Sequence, residues 1–206
     1  MPASAYTRGG KRVFDFVAAL AGLMVLAPLL AFVALAIVVV DPGPVFFRQT
    51  RVGRGFKLFR LFKFRTMRSG SGGPEITTDG DSRITPIGRL LRRTKLDELP
   101  QLLNVLAGDM SLVGPRPEVP KYVELFHKDY ELVLSVRPGI TDYAAIEYRD
   151  EESVLKRFAD PEKGYKDVVL PEKIVLYRRY LEEIGPWTDL KIIFKTLAKI
   201  AGPRSS

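Results

Sequence analysis

From Phe16 to Val40 the chain carries no charged residue, and Pro28 interrupts this apolar run at its centre. A straight helix of that length reaches roughly 37 Å, more than the ~30 Å hydrocarbon core of a bilayer. Pro28 leaves twelve residues on each side, and each half-helix reaches only about 18 Å. Proline removes a backbone donor and clashes with the preceding turn, so the sequence predicts a bend there. Arg8, Lys11 and Arg12 precede the run; Arg48, Arg51, Arg54, Lys57 and Arg60 follow it. A spanning helix would put one of these clusters outside the cell, against the positive-inside tendency. Two readings therefore stand: a helix–bend–helix that dips into one leaflet and returns, or a kinked transmembrane helix. A cleaved signal peptide fits less well, because the run is too long and no small-residue cleavage pattern closes it.

The expected division is a basic lead-in with a membrane element over 1–40, bent at Pro28, and one compact domain over 41–206. The chain has a net charge of +8, and its distribution is uneven. Between Pro42 and Pro74 there is no acid, while Arg48, Arg51, Arg54, Lys57, Arg60, Lys63, Arg65 and Arg68 all lie there. Beside a membrane segment such a block suits anionic lipid headgroups, worth about 1 kcal/mol per cation. It suits a phosphate-bearing substrate equally, and nucleic acid least, given the membrane element. The absence of cysteine excludes disulfides, thiolate catalysis and thiolate metal sites. His127 is the only histidine, which excludes a histidine-rich zinc site. Acid–base or metal chemistry must rest on carboxylates, with lysine and arginine as electrostatic partners.

Asp41-Pro42-Gly43-Pro44 forces a turn after the apolar run. From Val45 to Met67 the pattern is β-prone, with a turn at Gly53-Arg54-Gly55, and predicts a small hairpin with one basic face. Ser69–Pro74 reads as a flexible loop. Helices are expected over Ile87–Thr94, Pro100–Leu106, Val119–Val136, Glu151–Phe158, Pro171–Glu183 and Thr188–Ile200. The last carries Lys191, Lys195 and Lys199 at four-residue spacing, apolar residues on other faces, and Trp187 at its start. It fits a helix in a bilayer interface or an amphipathic helix closing the core. The fold class is therefore mainly α with a small β-hairpin.

Asp97 and Glu98 lie between a cationic helix and Pro100, a residue well tolerated in a first helical turn. A carboxylate there feels the helix dipole and nearby arginines, stays ionised, and can ligate Mg²⁺ or attack phosphorus. As a bare pattern, helix capping is the commoner role, because Thr94 and Asp97 are spaced as a capping box. Arg116 sits in the stiff Gly114-Pro115-Arg116-Pro117 loop, which lowers the entropy lost when a guanidinium grips phosphate. The ordinary alternative is a turn with a solvated arginine. Arg137 and Arg149 flank a Pro-Gly turn and a segment able to return to the same site.

Several motifs recur in a family order: Lys11-Arg12-Val13-Phe14-Asp15, Lys63-Phe64-Arg65-Thr66-Met67, Leu96-Asp97-Glu98-Leu99-Pro100-Gln101-Leu102, Gly108-Asp109-Met110-Ser111, Val113-Gly114-Pro115-Arg116-Pro117 and Arg137-Pro138-Gly139-Ile140-Thr141. From Lys11 to about Ala201 the chain resembles the bacterial sugar transferases, the monotopic polyprenyl-phosphate phosphoglycosyl transferases in their minimal catalytic form. The resemblance implies a re-entrant membrane helix bent at Pro28 and an α-rich cytoplasmic catalytic domain with interfacial amphipathic helices, on the bacterial inner membrane. It implies transfer of a sugar-1-phosphate from a UDP-sugar to polyprenyl phosphate, with Mg²⁺ as cofactor. Asp97 is the implied nucleophile and metal contact, Glu98 its assistant, and Lys63, Arg92, Arg116 and Arg149 the implied phosphate and nucleotide contacts. Implied partners are UDP-sugar, polyprenyl phosphate and anionic membrane lipids, without nucleic acid; the oligomeric state is left open, a homodimer included. Two departures stand out. Ala27 replaces a common serine before the membrane proline, and Asp142-Tyr143 replaces a common Gly-Trp after the Gly-Ile-Thr turn. A single-pass membrane scaffold with a basic cytoplasmic domain is the rival reading, and it has no need of Asp97.

Overall fold

The apolar run forms one helix, α1 (Lys11–Val40), which continues through Pro28 as a single element in the computed structural model. The structure describes residues 6–68, 70, 77–78 and 80–202. Along one side of α1, Ala19, Leu23 and Leu26 pack with Leu61, Leu102, Val105 and Met110. Further on, Leu30, Val33, Ala34 and Ile37 pack with Phe64 and Leu91. The opposite side exposes Val13, Val17, Met24, Val25, Phe32, Leu35 and Val39. Both ends are tied to the same body. Arg12 donates to the carbonyls of Val105 and Leu106 at 2.5 and 2.8 Å. Past the other end, Arg65 pairs with the Asp41 carboxylate at 3.4 Å and also donates to its carbonyl. A straight helix would place these two anchors about 43 Å apart.

The hairpin joins β1 (Phe46–Val52) to β2 (Leu58–Phe64), antiparallel, with Phe47 opposite Lys63 and Gln49 opposite Leu61. Alternation puts Phe47, Gln49, Arg51, Leu61 and Lys63 on one face, and all five line a single large cavity. The turn passes through Gly55 and Phe56, both at positive φ (63° and 62°). Phe56 stacks on His127 at 4.8 Å between ring centroids.

Next comes α2 (Pro86–Thr94). Thr85 caps its start by accepting from the Gly88 N–H at 3.0 Å, and Pro86 supplies the pre-set φ of a first turn. Lys95 closes α2 in the left-handed region (φ 58°). A tight turn at Leu96–Glu98 then leads into α3 (Gln101–Ala107). Two three-residue strands, β3 (Ser111–Val113) and β4 (Gly139–Thr141), pair in parallel, and between them run α4 (Pro120–Leu125) and α5 (His127–Val133). The chain continues through α6 (Tyr143–Glu147), α7 (Glu151–Leu155), α8 (Pro161–Gly164), a wide helical turn at Tyr165–Val169, α9 (Leu170–Glu183) and α10 (Pro186–Ala201). The main core gathers Val52, Tyr122, Val133, Leu155, Tyr165, Leu170 and Tyr177.

Mainly helical architecture with a small antiparallel hairpin agrees with the sequence. The helix expected over Val119–Val136 breaks at Phe126 (φ −115°, ψ 34°), which lets Tyr122 of α4 and Tyr130 of α5 both reach the core. The helix expected from Pro171 has helical turns before it from Pro161, because the wide turn leaves the missing proline N–H at the start of α9. The helix expected to Phe158 stops at Leu155. Apart from Gly70, the Ser69–Pro74 loop reading lies outside the described residues. α10 closes the core with Asp189 and Ile192, yet leaves Trp187, Phe194 and Leu197 exposed, Trp187 at 81%. The residues leading into α1 are locked onto this helix: Tyr6, Lys11 and Tyr180 all donate to the buried Asp189 carboxylate.

Gly114 and Gly139 lie in direct backbone contact, and a Cβ on Gly139 would overlap the Gly114 backbone. This contact fixes the loop that carries Arg116 against β4. Gly139→Ala is therefore expected to destabilise the fold by about 2–4 kcal/mol through overpacking against main chain. Thermal unfolding of the purified variant checks this; an unchanged midpoint would mean that the loop can move aside.

Candidate active site

The left-handed turn at Lys95 reverses the chain so that Leu96–Glu98 projects between the hairpin and the loop following β3. The carboxylate of Glu98 is gripped by a planar fork, with Arg116 Nη1 on Oε2 at 2.8 Å and Nη2 on Oε1 at 2.9 Å. Lys63, from β2, approaches Oε1 at 3.3 Å. Arg116 is itself fixed from behind: its Nη1 also donates to the Ile140 carbonyl at 2.9 Å, and its backbone N–H to Asp142 Oδ2 at 3.1 Å. Asp142 is fully buried and caps α6 through the Ala145 N–H at 2.6 Å. Arg116 is thus not a solvated turn residue.

Asp97 does not act as a cap. Neither its own turn nor α3 has a side-chain cap, and Thr94 donates back to the Leu90 and Leu91 carbonyls instead. Asp97 Oδ1 is buried with no hydrogen-bond partner among the described residues. An orphaned carboxylate oxygen is costly unless something else occupies its lone pairs.

The two neighbours titrate in opposite directions. Burial, and then the adjacent Glu98 charge, push Asp97 up to about 6. Burial also pushes Glu98 up, but Arg116 and then Lys63 outweigh it and hold Glu98 well below the usual carboxylate range. Burial lowers Lys63, partly opposed by Glu98. Asp142 is raised to about 6 by burial, against the hydrogen bonds it accepts. The site therefore holds one firmly anionic carboxylate and one of higher basicity beside it.

All six residues marked in the sequence as catalytic or phosphate-binding line one cavity of about 1190 Å³. Lys63, Glu98 and Arg116 are in contact. Arg92 approaches by another route, donating Nε to Thr66 Oγ1 at 2.9 Å and Nη1 to Glu152 at 2.7 Å. The Arg149 guanidinium reaches the carbonyls ending α10, at Lys199, Ile200 and Gly202, and its Nε is buried without a partner among the described residues. Arg137 instead closes α3 through the Gly108 carbonyl at 2.8 Å. Sequence reasoning singled out Asp142 only as a departure from the family pattern and missed its place behind Arg116. It also missed a largely buried cluster of Arg51, Glu118, Tyr165, Lys173 and Glu151 on another wall of the same cavity, with Arg51 and Glu151 half-buried. Tyr165, Lys173 and Glu151 lie far from the recognisable motifs, and only Arg51, in the basic block, and Glu118, close to Arg116, carried a local signal.

Among the described residues, no group of three or more histidines and carboxylates gathers as a metal cage. The bare Asp97 oxygen nevertheless fits a hard cation that draws its other ligands from water and substrate phosphate, the habit of Mg²⁺. Both Glu98 oxygens are already engaged by cationic side chains.

The family model described as bacterial sugar transferase matches residues 6–202. The UDP-glucose:undecaprenyl-phosphate glucose-1-phosphate transferase of Escherichia coli (strain K12) is 38% identical over 204 residues, covering 96% of this chain and 41% of that protein. The protein of the same name from Caulobacter vibrioides is 39% identical over 197 residues, covering 92% of this chain and 69% of its own length. A UDP-N-acetylgalactosamine-undecaprenyl-phosphate N-acetylgalactosaminephosphotransferase from Aeromonas hydrophila is 36% identical, covering 92% of this chain and 43% of that protein. The chain spans less than half the length of the Escherichia and Aeromonas relatives.

Asp97 gives a pH-dependent stability test. Its folded pKa, about 6, lies above the ordinary aspartate value of 3.8, so the folded state binds the proton more tightly. Ionised Asp97 then destabilises the fold at neutral pH, and the penalty fades as pH falls through 6 towards 4. In EDTA, Asp97→Asn is expected to be more stable than the parent at pH 7.5 by up to about 3 kcal/mol. The difference should close near pH 4. Unfolding midpoints across that range decide it, and a less stable variant at pH 7.5 would count against the unpaired state of Asp97.

Proposed function

Because the chain belongs to the bacterial sugar transferase family, we propose that it moves a sugar-1-phosphate from a UDP-sugar to a polyprenyl phosphate such as undecaprenyl phosphate. UMP would leave, and a polyprenyl-diphosphate sugar would form, initiating a bacterial polysaccharide or glycoconjugate. The observation that carries this reading is the buried, partnerless Asp97 oxygen beside a Glu98 clamped by Arg116 and Lys63. The names of the relatives support the reaction class.

In the first step an Asp97 oxygen attacks the β-phosphorus of the UDP-sugar. A carboxylate–phosphorus bond forms, the bond to the bridging oxygen breaks, and UMP carries that oxygen away. In the second step an oxygen of the lipid phosphate attacks the same phosphorus, and the Asp97 carboxylate is released. Both leaving and attacking groups are phosphates, so little proton transfer is needed, and the work is mainly positioning and neutralisation of charge. An Asp97 held near 6 is still mostly ionised at pH 7.5, and is more basic than an ordinary aspartate. Glu98 locks the Arg116 fork in place and holds Lys63 beside it, so that these cations face the diphosphate without reorganising. Mg²⁺ held by Asp97 and the substrate phosphates would supply further neutralisation of the diphosphate charge. Arg92 and Arg149 line the same cavity and are assigned to outer phosphate and nucleotide contacts.

For topology we infer a re-entrant α1 with both flanks on the cytoplasmic side of the inner membrane. Helix α1 is long and apolar enough to cross a membrane, and its outer face is apolar. Its two ends, however, bind one body through Arg12 and Asp41, whereas crossing would separate these anchors by the ~30 Å core. The exposed Trp187, Phe194 and Leu197 of α10, among its lysines, suit the headgroup layer, where anionic lipids would meet the basic hairpin. An active site held at that depth need not extract the lipid phosphate from the bilayer.

Two measurements test this reading. The protein mixed with UDP-sugar and Mg²⁺ but no lipid should gain one sugar-phosphate by intact mass, and Asp97→Asn should gain none. An adduct that survives in Asp97→Asn would remove Asp97 as nucleophile. For topology, Gly9→Cys and Lys57→Cys provide single thiols in a cysteine-free chain, at exposed positions flanking α1. Both should resist an impermeant thiol reagent in intact cells; labelling at one position alone would mean a crossing helix.

A further inference from the structure

Two residues beyond Arg116, no more than about 7 Å of chain, the same loop brings a second charged side chain to the cavity. Glu118 Oε1 accepts from Arg51 Nη1 at 2.9 Å, and Oε2 accepts from the Tyr165 hydroxyl. Lys173 donates to that hydroxyl at 3.4 Å and to Glu151 Oε2 at 2.7 Å. The Glu118 and Lys173 side chains are only 9% and 7% exposed, yet all five residues line the cavity that contains Asp97. The hairpin face leads to this wall in register: Lys63 stands opposite Phe47, and Gln49 and Arg51 follow at two-residue steps along β1. Arg51 is thus displaced by about 13 Å along the strand from the row of Lys63.

We propose that this wall is the sugar subsite of the cavity, where the hydroxyls of the hexose are held and read; the proposal rests on the nucleotide-sugar reading above. The two walls differ in charge. Around Asp97, Lys63, Arg92, Lys95 and Arg116 face Asp97, Glu98 and Glu152, an excess of cation that suits a diphosphate. At the second wall, Arg51 and Lys173 balance Glu118 and Glu151, so the wall is formally neutral while dense in donors and acceptors. A hydroxyl both donates and accepts, and a ring carrying several of them matches such a mixed surface. Lys173 has three N–H donors and two partners among the described residues, which leaves one for a ligand. A site built to hydrogen-bond hydroxyls discriminates strongly, because a wrong ring leaves its buried polar groups unpaired. The order of events favours the hexose over the ribose. UMP departs between the two steps while the sugar-phosphate stays, so the wall tied to Arg116 by the same loop falls to the part that is retained.

The test is direct binding to the Asp97→Asn protein in detergent, which separates recognition from turnover. Calorimetry would compare UMP, UDP, UDP-glucose, UDP-galactose and UDP-N-acetylglucosamine. The tightest UDP-sugar should exceed UDP in affinity, and Lys173→Met and Glu151→Gln should each reduce its binding about tenfold, the value of one good hydrogen bond to a charged group. UDP and UMP affinities should stay within about twofold in both variants, which also shows that the fold is intact. Equal losses for UMP and for the UDP-sugar would place the nucleoside on this wall and overturn the proposal. Unchanged binding of every ligand would return the cluster to a purely structural role. Wild type that binds UDP-sugar but never releases UMP would instead sink the reaction reading, while the binding comparison still decides the subsite.

Discussion

The forked pair between Arg116 and Glu98 is the contact through which the separate pieces of this molecule become one site. Glu98 comes from the turn before α3, Arg116 from the loop after β3, Lys63 from the hairpin, and Ile140 and Asp142 from the segment after the Pro-Gly turn. A buried ion pair contributes little net stability, because desolvation offsets most of the attraction. Removing one partner is different, since it strands a buried charge. The pair is therefore better understood as a specifier of geometry than as a source of stability. Asp142 extends that logic by holding the Arg116 main chain, so the side-chain fork has its origin fixed as well as its tip.

The long apolar helix obeys a related constraint. An apolar helix of this length has to be satisfied on all sides, and α1 divides the task between body and surroundings. Leu23, Leu26, Leu30, Ala34 and Ile37 meet the cores of α2, α3 and β2, while the opposite face is left apolar and open. The same helices that cover α1 carry or adjoin Asp97 and Glu98. The placement of α1 against the body and the position of the carboxylates are in this way set by one packing interface. The lock of Tyr6, Lys11 and Tyr180 on Asp189 then fixes α10, with its exposed Trp187, relative to the start of α1.

What could be read beforehand follows the physics of each signal. The apolar run, the hairpin and most of α2, α3, α9 and α10 announce themselves by period and by Gly-Pro punctuation. β3, β4 and α6 do not, because three to five residues carry no period, and the β pair is fixed by the Gly114–Gly139 contact across 25 residues of chain. At the site, Asp97, Glu98, Lys63 and Arg116 were legible because they lie in short motifs, and the capping alternative for Asp97 failed only once its unpartnered oxygen was seen. Pro28 marks a local backbone defect inside a helix that continues on both sides of it, with Leu26 and Leu30 on either side of the proline packed on different parts of the body. The wall formed by Arg51, Glu118, Tyr165, Lys173 and Glu151 was not legible. Its members are scattered over 123 positions, from 51 to 173, and only the fold of α7 to α9 returns them to the loop of Arg116.

In the proposed reaction one diphosphate is exchanged for another, with no large chemical driving force to spend on distortion, so any catalytic advantage has to be prepared in the folded protein. That preparation is visible as an imbalance between two adjacent carboxylates. Glu98 is held by Arg116 and Lys63 at the expense of its own basicity, while Asp97 keeps its basicity because burial leaves one of its oxygens unsatisfied. The protein tolerates the unfavourable burial of Asp97 because the neighbouring fork, the capped α2 and the Gly114–Gly139 contact over-determine the surrounding backbone. Satisfying Asp97 with a capping hydrogen bond, as the bare sequence pattern allows, would relieve the cost of its burial and, in the proposed mechanism, leave its oxygen less basic toward phosphorus.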